Sequence, residues 1–229
     1  MHHYFGKTDL LALDEVRAME VGVPTDECSI RLGNPTVELC RFDCVDQSES
    51  FNLSKRLSSE PIRANQKVSL LWRERFLHLA KHADGNVTIV DRYAGERHLE
   101  RRDGFSGLRK FLTGVDAGMT GRIVEIFTAS VNRSAADILA SAQALASNLR
   151  QGGISEIKIH ISQNADFSRV AHYRYVRFGN FVCLLDVGLE VFEGDEVFRE
   201  CPFSMRQFDA QTQDGESQLR SVSTTHKLK

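Results

Sequence analysis

The fold of this protein is decided by residues 156–192, EIKIHISQNADFSRVAHYRYVRFGNFVCLLDVGLEVF. Apolar and polar residues alternate over residues 156–162, which predicts a strand with one buried face. The alternation returns over residues 172–178, and the following Gly179-Asn180 is typical of a hairpin turn. The apolar residues 181–185 then predict a buried partner strand. We therefore expect three strands here, the last two forming a hairpin, with a loop before it.

One strand of this hairpin carries the most suggestive chemistry in the chain. Side chains alternate between the two faces of a strand, so residues 172–178 divide into two sets. The first set is His172, Arg174 and Val176, and the second is Tyr173, Tyr175 and Arg177. An imidazole and a guanidinium are therefore expected to point the same way, at the start of a hairpin.

Length and composition indicate an ordinary intracellular protein. The 229 residues can form one domain with a sizeable core, or a compact domain with an N-terminal addition. The formal net charge is −2, so any basic binding site must be local. The longest apolar run, residues 181–185, is too short to cross a bilayer, and residues 1–10 lack a signal-peptide pattern. We expect a cytoplasmic protein without a transmembrane segment.

Metal and cofactor sites are not expected. Cys40 and Cys44 are four residues apart, but no second pair and no nearby histidine completes a zinc-ligand set. Glu74, His78 and His82 would share one face of a helix, but the glutamate is not placed as in the usual helical zinc motif. We interpret that face as solvated and the five cysteines as reduced, mostly packed thiols.

Residues 1–65 are expected to form a small β-rich segment followed by a linker. Residues 7–20 have the apolar side of a short helix. Residues 29–32 and 36–42 are typical of two strands joined by a Gly-Asn-Pro turn. Residues 46–61 are rich in serine, asparagine and charge, which predicts a loop or linker.

Residues 66–209 alternate between helical and strand patterns. The expected elements are helices over residues 66–82, over residues 105–113 and from Ser134, with strands over residues 87–90 and 122–128 ahead of the three described above. This alternation predicts an α/β fold with a mostly parallel sheet covered by helices, to which the hairpin adds antiparallel strands. One more edge strand is expected near residues 197–208. Residues 210–229 lack apolar periodicity, which predicts a disordered tail.

Asp91 is a second candidate for function. It follows the predicted strand 87–90, and α/β proteins tend to bind ligands where strands end. A helix cap or a loop-closing hydrogen bond explains an aspartate at this position equally well. Four arginines follow in the next loop, mixed with acidic residues, and they indicate a charged surface first and a phosphate-binding patch second: Arg92, Arg97, Arg101 and Arg102.

Several of these segments together resemble the phospholipase D-like domain found at the C-terminus of MIT-domain proteins. The resemblance covers roughly residues 66–209, and its main segments are residues 87–93, the hairpin from His172 to Asn180, and residues 188–192. It implies a phospholipase D-like mixed sheet flanked by helices that binds a phosphate-bearing partner, membranes included. Tyr173 stands where the family usually has an acidic residue. The three-helix MIT module has no counterpart, so its trafficking partnership is not implied.

Catalytic members of the wider phospholipase D superfamily resemble this hairpin more loosely. Their motif is His-x-Lys with an aspartate five residues after the lysine; here Arg174 stands for the lysine and Gly179 for the aspartate. The resemblance implies that His172 would be the nucleophile of an active enzyme and that Arg174 would hold the phosphate. Asp91, Tyr93 and Arg177 are the further candidates for ligand contact.

Three hypotheses about function follow. The preferred one is a non-catalytic phosphate-recognising domain that binds a lipid headgroup or a nucleic acid through His172 and Arg174. The second is a metal-independent phosphodiesterase or nuclease, which would need a homodimer to bring two copies of His172 together. The third is a purely structural interaction domain. The preferred hypothesis involves no cofactor, and a homodimer is expected.

Overall fold

The computed structural model describes residues 29–32, 37–83, 85–96, 107–118, 121–149 and 151–229. The chain divides into two compact units between Ser59 and Glu60. The boundary expected after residue 65 lies close to this division. Each unit is described separately below.

The first unit contains a hairpin and a helix. Strands β1 (Ser29–Leu32) and β2 (Val37–Cys40) pair antiparallel, so the predicted hairpin is confirmed, while its turn lies outside the described residues. A 3-10 turn, Phe42–Gln47, leads into helix α1 (Glu49–Ser59). The helix predicted over residues 7–20 also lies outside the described residues.

Helix α1 shows that the loop predicted over residues 46–61 was wrong. The Glu38 carboxylate accepts the backbone N–H groups of Glu49 and Ser50, at 3.0 and 2.7 Å. The Ser48 hydroxyl accepts a third, from Phe51, at 3.1 Å. These bonds satisfy amides that have no partner within the helix. Because one acceptor lies in β2 and α1 buries none of its residues, the local sequence gave no helical signal.

The second unit contains a seven-stranded mixed sheet among its described residues. Its strands in chain order are β3 (Val87–Val90), β4 (Arg122–Ser130), β5 (Ile154–Gln163), β6 (Tyr175–Phe178), β7 (Phe181–Leu185), β8 (Phe203–Gln207) and β9 (Ser223–Lys227). The order across the sheet is β8-β7-β6-β3-β4-β5-β9. Strands β3, β4 and β5 are parallel, and every other neighbouring pair is antiparallel.

Helices cover both faces of this sheet. They are α2 (residues 68–82, with a π-helical turn Trp72–Phe76), α3 (Gly107–Gly118), α4 (Ala135–Ser147), α5 (Asn164–Val170) and α6 (Ala210–Ser221). Helices α2, α3 and α4 pack on the face that carries Val87 and Ile89, where the main core lies. A smaller cluster, with Phe167 and Leu219, packs on the face that carries Val90. We call the second face the polar face, because buried Thr88 and His160 also belong to it.

The predicted α/β class is therefore confirmed in its coarse form, a mixed sheet flanked by helices with a small N-terminal hairpin. The capped helix expected from Ser134 is α4, and the Ser134 hydroxyl accepts the Asp137 N–H at 3.2 Å. The hairpin of residues 172–185 is also confirmed, as β6 and β7. Its first strand begins only at Tyr175, and the predicted loop before it contains α5.

Residues 210–229 do not form the predicted disordered tail. They form α6 and then β9, which pairs antiparallel with β5. Leu219 is the one apolar side chain of α6 that is buried, so the segment lacked an apolar period. Asp209 caps the helix by accepting the Thr212 N–H at 2.8 Å. Glu216 and Arg220 of α6 form ion pairs with distant strands, which hydrophobic patterning does not reveal.

A pair of glycine substitutions tests the packing of α2 on α3. A Cβ atom on Gly114 would lie 2.6 Å from the Trp72 ring, which itself packs edge-on against Phe111 at 5.6 Å. We expect Gly114→Ala to lower the free energy of unfolding by about 1–3 kcal/mol through overpacking. In α6, a Cβ on Gly215 would meet no atom within 4 Å. Gly215→Ala should raise the free energy of unfolding, by about 0.5–1 kcal/mol.

Urea unfolding of both variants and the parent protein measures these changes. A Gly114→Ala variant as stable as the parent would contradict the packing described here.

Candidate functional site

The loop that follows β3 is held by a buried carboxylate. Asp91 is 1% exposed, and its Oδ1 atom accepts the Tyr93 N–H at 3.0 Å. Its Oδ2 atom accepts the Leu189 N–H at 2.9 Å. Asp91 therefore closes its own loop and ties it to the 3-10 turn Gly188–Phe192. These bonds are the loop-closing contacts considered for Asp91, and its role in ligand contact stays a prediction.

The same loop is fixed to the end of β4. The buried Glu96 carboxylate accepts the backbone N–H groups of Val131, Asn132 and Arg133. The Thr128 hydroxyl accepts the Gly95 N–H at 2.8 Å. Residues 91–96 are held by this many bonds, which lowers the entropy that they lose when a ligand binds.

Two guanidinium groups lie against one aromatic ring in this loop. The Cζ atom of Arg92 is 5.3 Å from the Tyr93 ring centroid, and that of Arg174 is 5.9 Å from the same centroid. Both distances are within the range of cation–π contacts. The Arg92 Nε–H also donates to Asn164 Oδ1 at 2.6 Å. We call Arg92 and Arg174 the arginine pair; neither has a carboxylate partner in the described part of the chain.

Gly188 allows Arg174 to reach this position. A Cβ atom on Gly188 would lie 2.9 Å from Arg174 Cδ and 2.8 Å from Asp91 Cγ. Gly188 also has a φ of 66°, in the left-handed region that favours glycine. The Arg174 side chain therefore crosses the turn at a point where any other residue would block it.

His172 is placed differently from the sequence prediction. It lies with Tyr173 and Arg174 in the connection between α5 and β6, so it is not part of the strand. Its imidazole is exposed and makes no hydrogen bond or ion pair with any described residue. Tyr173 is 70% exposed. Of the predicted pair, the structure brings Arg174 to Tyr93 and leaves His172 without an orienting partner among described residues.

Arg177 lies on the polar face and is fully engaged. Its Nε–H and Nη2–H groups donate to the two carboxylate oxygens of Glu216, both at 2.7 Å. Nη1 donates to the Gly179 carbonyl oxygen at 2.8 Å, and Nη2 also contacts Thr88 Oγ1 at 2.7 Å. The Tyr175 hydroxyl lies 3.3 Å from Glu216, and burial together with this carboxylate raises the pKa of Tyr175. Arg177 is thus not part of the arginine pair.

A polar cluster around His160 was not predicted from the sequence. This side chain is buried beside β9: its Nδ1 atom is 2.8 Å from Thr225 Oγ1, and its ring stacks on Phe127 at 4.3 Å. Its Nε2 atom is 3.6 Å from Glu125 Oε1, a distance for an ion pair and beyond a good hydrogen bond. Arg220 donates to Glu125 Oε2 at 2.9 Å. The alternation of apolar and polar residues over 156–162 predicted that His160 lies on the polar side of its strand. The elements that bury it, α6 and β9, were not predicted.

Two neighbouring side chains make Glu125 unusually acidic. His160 first, and then the positive charge of Arg220, lower the pKa of Glu125 from 4.5 to about 2, against an opposing effect of burial. The carboxylate therefore stays ionised through the whole neutral range and holds α6 to β4 at every such pH.

No group of three histidine, cysteine, aspartate or glutamate side chains forms a metal-ligand set among the described residues. The rings of His78 and His82 lie 4.9 Å apart, while Glu74 accepts a hydrogen bond from Gln66 at 3.3 Å. Four cysteines are free thiols, and Cys28 lies outside the described residues: Cys40, Cys44, Cys183 and Cys201. None of the helices described here is long and apolar enough to cross a membrane.

Comparisons of the chain with protein-family models, with curated proteins and with solved structures gave no match. The arginine pair and its supporting contacts therefore carry the functional argument.

The lowered pKa of Glu125 predicts that this carboxylate contributes to stability at acid pH. A carboxyl group whose pKa is lowered by folding stabilises the protein above its unfolded pKa, and this contribution is lost as the pH falls toward the folded value. The free energy of unfolding should therefore fall between pH 4.5 and about 2 more steeply in the parent protein than in Glu125→Gln. With solvent screening, we expect a difference of up to ~2 kcal/mol. Urea unfolding at stepped pH measures both slopes, and equal slopes would contradict the role of Glu125.

Gly188 can be tested against a glycine with a similar backbone conformation. Gly152 has a φ of 78°, and a Cβ there would meet no atom within 4 Å. Gly152→Ala therefore measures the backbone cost alone, which we expect to be about 1–2 kcal/mol. Gly188→Ala adds the clash with Asp91 and Arg174, so it should destabilise by a further ~1–3 kcal/mol. If urea unfolding shows that Gly152→Ala and Gly188→Ala lose the same free energy of unfolding, Arg174 does not need the space above Gly188.

Proposed function

We propose that the second unit is a phosphate-recognising, phospholipase D-like domain that is non-catalytic and binds a phosphodiester-containing partner. The observation that carries this proposal is the arginine pair: two guanidinium groups on one tyrosine ring, without a described carboxylate partner, beside the end of β3. Elsewhere on the second unit, arginines such as Arg177 and Arg220 are paired with carboxylates.

The chemistry of the arginine pair favours an oxyanion. A guanidinium group offers parallel N–H donors that match the spacing of two phosphate oxygens. Asn164 holds the Nε–H of Arg92, which leaves the two terminal amino groups of that side chain for a ligand. Since the net charge of the chain is −2, attraction of a phosphate depends on this local concentration of positive charge.

The placement of His172 supports binding rather than catalysis. A nucleophilic histidine needs a group that fixes its orientation and tautomer, usually a carboxylate or a carbonyl oxygen. His172 has no such contact among the described residues, and Gly179 stands where the catalytic motif has its aspartate. At the edge of the site, an exposed imidazole can still donate a hydrogen bond to a phosphate oxygen.

Substitution of Arg174 tests the proposed site. Arg174→Ala should weaken binding of a phosphodiester by about 10- to 100-fold, since it removes a charge-assisted hydrogen bond. Arg174→Lys keeps the charge and loses the paired donors, so its loss should be intermediate. Arg73→Ala, on an exposed position of α2, is the matched control and should bind as the parent does. Equal binding by Arg174→Ala and Arg73→Ala would refute the site.

Two probes distinguish the sources of the phosphodiester. A fluorescent single-stranded oligonucleotide is followed by anisotropy, and phosphatidylglycerol vesicles are followed by cosedimentation against phosphatidylcholine vesicles. A probe that binds the parent protein and binds Arg174→Ala more weakly identifies the class of partner. If neither probe binds the parent protein, the proposal is refuted. Hydrolysis of bis(p-nitrophenyl) phosphate that is lost in His172→Ala would show an enzyme instead. Light scattering on the same samples measures whether the chain is the proposed homodimer.

A further inference from the structure

We propose that α6 and β9, residues 210–227, form a detachable cover over the polar face, and that Glu216 occupies a second anion site as an internal ligand. When the cover lifts, the same site accepts an external carboxylate. This site is separate from the arginine pair and does not depend on it. We call residues 210–227 the cover.

The site beneath the cover has the form of a carboxylate receptor. Arg177 gives Glu216 two parallel hydrogen bonds of 2.7 Å, which is the bidentate geometry of guanidinium–carboxylate recognition. The Tyr175 hydroxyl donates a third hydrogen bond to Glu216, at 3.3 Å. Thr88 Oγ1 accepts a hydrogen bond from the Arg177 guanidinium at 2.7 Å and so helps to fix its position. Both donors come from β6 at the centre of the sheet, and Thr88 comes from β3, whereas the carboxylate comes from α6. The donors therefore stay in place when the helix leaves.

Apolar contacts hold the cover only weakly. Leu219 is the single buried apolar side chain of α6, and none of the five residues of β9 is buried. Gly215 lies within α6, where it lowers the stability of the helix itself. Among the described strands, β9 has β5 as its one neighbour and forms an edge of the sheet. Segments with few apolar contacts open well before a domain unfolds.

Buried hydroxyl groups without a partner and partly exposed ion pairs further favour opening of the cover. Ser162 and Ser223 face each other across β5 and β9, and both hydroxyl oxygens are buried without a partner among the described residues. Such groups gain hydrogen bonds with water when the strand separates. The ion pairs Arg220–Glu125 and Lys227–Glu156 are partly exposed, so salt weakens them. Docking of the cover therefore relies mainly on polar contacts and is sensitive to ionic strength.

Hydrogen exchange of the full chain tests whether the cover opens alone. We expect amides of the cover to exchange at least about tenfold faster than those of β4, by an opening that leaves the core protected. Raising NaCl to about 1 M should accelerate this exchange several-fold. Gly215→Ala adds a Cβ atom that meets no other atom within 4 Å, and it should slow this exchange by about three- to fivefold. Exchange of the cover at the rate of β4 at every salt concentration would overturn the proposal.

Chemical rescue tests the anion site itself. Glu216→Ala removes the internal carboxylate, and formate is a carboxylate small enough to replace it. Formate should raise the Tm of Glu216→Ala above that in chloride of equal ionic strength, and should have no such effect on Glu216→Ala/Arg177→Leu. Equal effects of formate on the two variants would overturn the site.

Glu216→Gln provides a second route if Glu216→Ala does not fold. It keeps the shape of the side chain and removes its charge, so the cover should exchange faster than in the parent and should lose part of its salt sensitivity. Unchanged exchange in Glu216→Gln would contradict the role of Glu216 as the ligand that holds the cover.

Discussion

The position of the arginine pair depends on one buried aspartate. Asp91 uses one carboxylate oxygen to shape the loop after β3 and the other to bind the turn at Leu189. That turn includes Gly188, over which Arg174 passes to reach Tyr93. The carboxylate thus joins segments almost one hundred residues apart in sequence. Asp91 therefore positions the turn that Arg174 crosses, while Glu96 and Thr128 hold the rest of the described loop.

The core of the second unit followed from simple patterns. Alternating apolar residues predicted β5, and helical spacing predicted α2 and α4, because each of these elements buries an apolar side against the main core. The two faces of β6 were also assigned correctly for Tyr175 and Arg177, which contact the same carboxylate. Burial of apolar surface is a local signal, and it was sufficient for these elements.

The elements that were missed are held mainly by charge and by caps. Helix α1 depends on Glu38, eleven residues before Glu49, and α6 depends on Arg177 and Glu125. Arg177 and Glu125 lie 39 and 95 residues from their partners in α6, so no short window of sequence contains both sides of these ion pairs. The candidate site shows the same division: Arg174 was identified from the alternation over residues 172–178, but its contact with Tyr93 required the loop after β3 to be in place. His172 was assigned to a strand that begins three residues later.

The π-helical turn of α2 affects how this helix tolerates changes in length. Leu71 and Phe76 are both completely buried although they are five positions apart, a separation that would place them about 140° apart around a regular α-helix. The wider turn between them brings both side chains to the sheet. Removal of a single residue from Trp72–Phe76 would leave a regular helix with about 40° between the same two side chains. This turn is therefore the place where α2 can lose one residue and keep its packing on both sides of the deletion.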